Sequence, residues 1–122
     1  MILAHVTVPI ILHGLLPQLD LLSLLFGANI SSLDVLPTLI RRCTPTEPME
    51  ETHTSTVLHT PFFFLILSFP LFLALGESIA LSFLIGGLTH VFIDALDERG
   101  RKLLYPFSHR FYGLHLLTYD FW

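Results

Sequence analysis

Long apolar runs separated by short polar breaks organise this chain. Residues 57–76 read VLHTPFFFLILSFPLFLALG, with one histidine and no formal charge. At a rise of about 1.5 Å per residue, about 20 apolar residues cross a hydrocarbon core, so the run predicts a membrane helix. Pro61 falls near its start, and Pro70 lies inside, where it should kink the helix. A second run from about 78 to 96 predicts another span. Only Gly76-Glu77-Ser78 separates the two, which predicts a helical hairpin. Residues 1–16 and 21–40 are also apolar, the second with Asp34 inside and a Gly27-Ala28-Asn29 break. They predict two short membrane helices, with a re-entrant pair as the alternative. Residues 1–16 lack the basic start and the following small-residue site of a cleaved signal peptide. The expected fold class is all-α: a small polytopic membrane helical bundle of three to four membrane helices. Residues 1–122 form one membrane-embedded domain, with a loop at about 41–56 and an interfacial tail at about 97–122.

Composition points the same way. Hydrophobic residues make up 52% of the 122 residues and charged ones 13%, about half the usual charged share. Mean hydropathy is +0.70. Ten acidic and six basic side chains could hardly cover the surface of a soluble domain of this size. All basic residues fall in two places: Arg41 and Arg42, then Arg99, Arg101, Lys102 and Arg110. The hairpin puts both places on one side, and the positive-inside rule makes that side cytoplasmic. The expected location is the cell inner membrane, multi-pass, with loop 41–56 and the C-terminus cytoplasmic. The tail carries Tyr105, Tyr112, Tyr119 and Trp122, residue types favoured at a membrane interface. Cys43 is the only cysteine, which excludes a disulfide framework and a cysteine-based zinc site.

The candidate chemistry sits in the second run. His90 and Asp94 are four residues apart, on one helical face one turn apart. An ionisable pair inside a membrane is costly and reads as functional. His59 lies 18 residues before Glu77, and Asp94 lies 17 after it. Antiparallel helices then place His59 level with Asp94, roughly 25 Å from the turn. His13 and Asp20 share a face if the helix continues through Pro17. If Pro17 ends it, Asp20 is the cap of the next helix. Histidines and aspartates converging from several helices suit a divalent metal ion: zinc first, with manganese or magnesium as alternatives. Each residue also has a bland reading. His90 with Asp94 could be an interhelical hydrogen-bonded pair, His59 a snorkelling residue, His13 a packing residue and Asp20 a cap. His5 reads as interfacial, His53 as solvated, and His109 and His115 as interface residues. Asp34 reads as a cap or a ligand.

Three segments, in order, resemble the LexA-binding, inner-membrane-associated family of predicted metal-dependent hydrolases. That family shows LLPDxD, HRGxTHS and GxxSHxxxDxxTPxGxxLLWP segments. The first is matched by Leu15-Leu16-Pro17-Gln18-Leu19-Asp20. The third is matched by Gly86-Gly87-Leu88-Thr89-His90-Val91-Phe92-Ile93-Asp94, continuing through Leu103-Leu104-Tyr105-Pro106. The second corresponds to 53–60, from His53 to His59-Thr60. Gln18 replaces the first aspartate, Thr54 stands where the family has arginine, and the interval from His53 to His59 is one residue longer. The family also has a histidine early in its first helix, a place that His5 or His13 could hold. The resemblance carries Asp20, His59, His90 and Asp94 as site residues and implies a metal-dependent hydrolase.

The expected function is therefore a membrane-bound metal-dependent hydrolase acting on an ester or phosphoester near the cytoplasmic membrane face. His59, His90 and Asp94 are the expected ligands, completed by Asp20 and His13, with His53 as the general base. Membrane lipid is the expected surrounding, a lipid or phosphoester the substrate, a second copy of the chain a candidate partner, and nucleic acid no partner. The alternatives are an ion or proton transporter component and a non-catalytic membrane assembly subunit.

Overall fold

Local chemistry marks where each helix starts and stops. Helix α1 spans Ile2–Leu15 and ends two residues before Pro17, consistent with the bias against helix before proline. Helix α2 spans Leu21–Asn29. Asp20 caps it from an extended conformation, its carboxylate accepting from the Ser23 amide, so a donor without a helical partner is satisfied. A 3-10 turn, Ile30–Asp34, follows. After a second 3-10 turn, Val57–His59, helix α3 spans Pro61–Leu75 and helix α4 spans Glu77–Ala95. This computed structural model describes residues 2–34, 57–96, 103–108, 110 and 112–113. The loop expected at 41–56, His53, His109, His115, the side chain of Asp34 and most of the expected tail lie outside the described residues. The elements among the described residues are helices and turns, with an isolated bridge at Tyr112 and no strand.

The run 57–76 is not one helix. Thr60 adopts φ −107° and ψ 144°, the conformation that a following proline favours. Its hydroxyl donates to the Val57 carbonyl at 2.7 Å and accepts from the Phe63 amide. Pro61 occupies the first helical turn, where a missing N–H removes no bond. Helix α3 is thus 15 residues long, about 22 Å, and continues through Pro70. Among the described residues α4, with 19 residues, is the one helix long and apolar enough to cross a membrane. The other three helices are apolar but shorter. Gly76 joins α3 to α4 directly at φ +95°, a left-handed conformation that glycine adopts without penalty.

The helices form two hairpins side by side. Asn29 reaches back to His5, and α3 packs on α4 around buried Phe64, Phe83 and Val91. Helices α2 and α4 run parallel: the Asp20 amide donates to the Ser82 hydroxyl at 2.8 Å, and eight residues on, Ala28 meets His90. Both hairpin turns lie at one end, where the Ser78 hydroxyl donates to the Gln18 carbonyl. At the other end the Ser31 hydroxyl donates to the Leu58 carbonyl at 2.7 Å. Glycines set the α2–α4 spacing. A methyl group on Gly27 would overlap the Phe83 carbonyl, and one on Gly86 the Leu24 carbonyl.

Candidate metal centre

The end of the bundle opposite the turns holds a cluster of three histidines and one aspartate. Asp94 Oδ2 lies 3.5 Å from His90 Nε2 and 3.7 Å from His59 Nε2, and Oδ1 lies 3.5 Å from His5 Nε2. The His5 and His90 rings stack at a centroid distance of 4.1 Å. His5, His90 and Asp94 are buried, and the His59 side chain is nearly so, at 11% exposure. His59 stands level with Asp94, the position that counting outward from the Gly76 turn gives.

Hydrogen bonding orients one ring. His90 Nδ1 lies 2.6 Å from the Ala28 carbonyl oxygen. A carbonyl only accepts, so Nδ1 carries the proton and donates. In the neutral ring the lone pair is then on Nε2, which faces the Asp94 carboxylate. Buried His90 Nε2 and His5 Nδ1 have no hydrogen-bond partner. A carbonyl behind one imidazole nitrogen with the other nitrogen open is the arrangement that metal-binding histidines use.

The donor set fits a divalent ion. Nitrogen and oxygen donors about 2.0–2.2 Å from a shared tetrahedral centre lie about 3.3–3.6 Å from one another. The His5 and His90 distances to the carboxylate, 3.5 Å each, fall at this spacing, and that of His59, 3.7 Å, lies just beyond it. His5, His90 and Asp94 each offer a donor atom within 4.8 Å of the others, so this buried group could hold a metal ion. Two imidazoles with one carboxylate, and His59 outside this group but 3.7 Å from Asp94, suit zinc or a similar borderline ion better than magnesium.

His5 corrects the sequence reading. Read from its position as interfacial, and offered by the resemblance, with His13, as the early first-helix histidine, it is 5% exposed and belongs to the cluster. Periodicity on α1 does not reveal this, because His5 reaches His90 only when the two hairpins stack with α2 beside α4. His13 and Asp20, expected to complete the site, are not brought to it. They lie beside the turn after α1, where His13 Nδ1 donates to the Leu19 carbonyl at 2.8 Å. Asp20 caps α2 and sits level with Ser82, about 12 Å along α4 from His90 at 1.5 Å per residue. Pro17 is the physical reason: it ends α1, and the chain turns before Asp20.

The Asp20 carboxylate accepts from the Ser23 hydroxyl at 2.6 Å and the Ser23 amide at 2.7 Å. The hydroxyl, more than the amide, holds its carboxyl below the usual carboxylate range. A depressed folded-state pKa stabilises the fold above the unfolded value of about 4, and that contribution is lost as pH falls through the folded value. Asp20→Ala is expected to cost about 1 kcal/mol at pH 7. The gap from wild type should narrow below about pH 4. Thermal unfolding in detergent at pH 7 and pH 3 checks both statements, and a gap that widens in acid contradicts them.

A small all-helical protein with a buried histidine–aspartate centre and broad apolar exterior is the class these observations define. Within it, the chain belongs to the YdjM inner membrane protein family, whose model matches residues 2–122. The match supports an inner-membrane location. No curated protein and no solved structure matches the chain.

Proposed function

We propose that this protein is a multi-pass inner-membrane, metal-dependent hydrolase whose ion is held by His5, His59, His90 and Asp94. One observation carries the reading: His90 Nδ1 is committed to the Ala28 carbonyl, so Nε2 turns its lone pair toward a buried carboxylate 3.5 Å away. Two electron-rich groups facing one another in a site of low dielectric call for a cation between them. A bound divalent ion would supply Lewis-acid activation of water at neutral pH. The protein's own groups hold that ion, orient His90 and exclude bulk water. His53 is the loop residue proposed to accept the proton of the attacking water.

The multi-pass reading is supported by exposure. Leu3 of α1, Leu22 of α2 and Ile66 of α3 are 82%, 76% and 74% exposed, and Phe69, Leu73 and Phe92 are also exposed. Among the described residues of the four helices and their caps, Asp20, level with Ser82 near the turn end and bound to Ser23, is the one formal charge between the level of Glu77 and that of Asp94. Such a band suits lipid better than water. Positive-inside placement of the basic residues puts the centre near the cytoplasmic face. A lipid ester or phosphoester headgroup is the substrate class at that depth.

A second reading rests on donor number. Four protein donors fill a tetrahedral ion, as in sites that tie a fold together, whereas catalytic zinc sites keep a position open. Purification in detergent with metal analysis, then assays on phospholipid and simple phosphoester substrates, separates the two. The hydrolase reading expects one divalent ion per chain and turnover that a chelator removes and zinc restores. Bound ion without turnover, and a cobalt(II) spectrum unmoved by added anions, favours the structural role. A folded, metal-free protein sinks both.

A further inference from the structure

Helix α2 contributes no donor to the centre, yet its last turn touches two of the residues that do. Ala28 accepts from His90 Nδ1. The neighbouring Asn29 donates through its side-chain amide to the Leu25 carbonyl at 2.8 Å and, over a long 3.4 Å, to the His5 carbonyl. Both partners are carbonyl oxygens, so the amide nitrogen is fixed on that side.

The His5 carbonyl needs such a donor. In an α-helix, the carbonyl of residue 5 accepts from the amide of residue 9. Residue 9 is Pro9, fully buried inside α1. Proline has no N–H, and its ring pushes against the carbonyl four residues back. The one helical bond that Pro9 removes from α1 is thus the bond of the residue that carries a candidate ligand. A backbone carbonyl left without a donor in lipid is costly, so another helix must supply one. Asn29 does.

We propose that Asn29 is a positioning residue for the metal centre, tying the His5 backbone, freed by Pro9, to the α2 turn that orients His90. The inference rests on the metal reading above. It makes α2 the template for the spacing of two ligands carried by α1 and α4. The stacking of the His5 and His90 rings at 4.1 Å follows from that shared anchorage.

The test uses the full chain in detergent, with zinc affinity measured by competition against a chromophoric chelator. Asn29→Ala is expected to bind one zinc per chain, weakened about 10–100-fold, the range for loss of an outer partner of a metal ligand. Pro9→Ala combined with Asn29→Ala is the control. It returns an N–H to the His5 carbonyl within α1 and should restore thermal stability. It should leave zinc binding weak, because the link between helices is still absent. Zinc affinity of Asn29→Ala equal to wild type overturns the proposal. Full recovery of affinity in the double variant also overturns it, since satisfying the carbonyl, not anchoring it to α2, would then be what matters. If wild type itself binds no zinc or other divalent ion, the metal reading fails first, and the inference with it.

Discussion

Asp94→Asn is expected to strip the proposed centre of its divalent ion. Asp94 is the carboxylate of the cluster, with its oxygens 3.5–3.7 Å from three imidazole nitrogens. Asparagine keeps the size and removes the negative charge, leaving neutral donors around a dication. Structural zinc sites contribute about 10–16 kcal/mol over four ligands, so one ligand is worth about 3 kcal/mol. That is a loss of at least about a hundredfold in affinity. Chelator competition reads the loss directly. Thermal unfolding gives a second readout, because an ion at about a thousand times its Kd stabilises the folded state by about 4 kcal/mol. The zinc-induced shift should be present in wild type and absent in Asp94→Asn. His13→Ala and Asp20→Asn should keep the ion, since both residues belong to the turn after α1. Stoichiometric metal in Asp94→Asn, or its loss in His13→Ala, contradicts the assignment.

Gly86→Ala is expected to be among the most damaging single-methyl additions in the molecule. The new methyl would overlap the Leu24 carbonyl, which is backbone and cannot swing aside. Helices α2 and α4 must separate, and His90 Nδ1 then loses the Ala28 carbonyl it reaches at 2.6 Å. Alanine gains up to about 1 kcal/mol over glycine in helix propensity. Overpacking costs about 1–3 kcal/mol, and loss of the orienting carbonyl adds a drop in metal affinity of about tenfold or more. Gly27→Ala should behave alike, from the other helix, against the Phe83 carbonyl. Gly14→Ala is the internal control: nothing lies within 4 Å of its added methyl, so propensity alone acts and the protein should be neutral or slightly stabilised. Metal affinity and unfolding temperature, measured together, check the set. A Gly86→Ala protein with wild-type zinc affinity would show that the Ala28 contact does not orient His90.

Much of the hairpin α3–α4 was legible in the sequence. Gly76-Glu77 marks its turn, and counting from it puts His59 beside Asp94, because the connection has no slack and only Thr60 separates the turn carrying His59 from the start of α3. The start of α3 was also written in Thr60-Pro61, a cap followed by a first-turn proline. Hydropathy alone overlooks it, since Val57 and Leu58 are as apolar as the helix they precede. The place of α1 was not legible. His5 sits on a short apolar helix whose pattern says which residues are apolar, not which helix they will meet. The pairing depends on bare backbone at Gly27 and Gly86, where absent side chains carry no hydropathy signal. Asp20 and His13 shared a helical face only on the assumption of an unbroken helix, and Pro17 breaks it.

Both hairpin turns lie at one end of the bundle and the cluster at the other, which has a consequence for biosynthesis. The ribosome makes His5 early and Asp94 late, with α2 and α3 between them. In the proposed multi-pass arrangement, the first hairpin would enter the bilayer as a finished unit while His5 still lacks every companion it will have. The second hairpin must then arrive alongside, parallel through α2 and α4, before the four side chains meet. An ion captured there would be the last event of maturation, and its presence would distinguish a completed chain from one whose second hairpin had failed to insert.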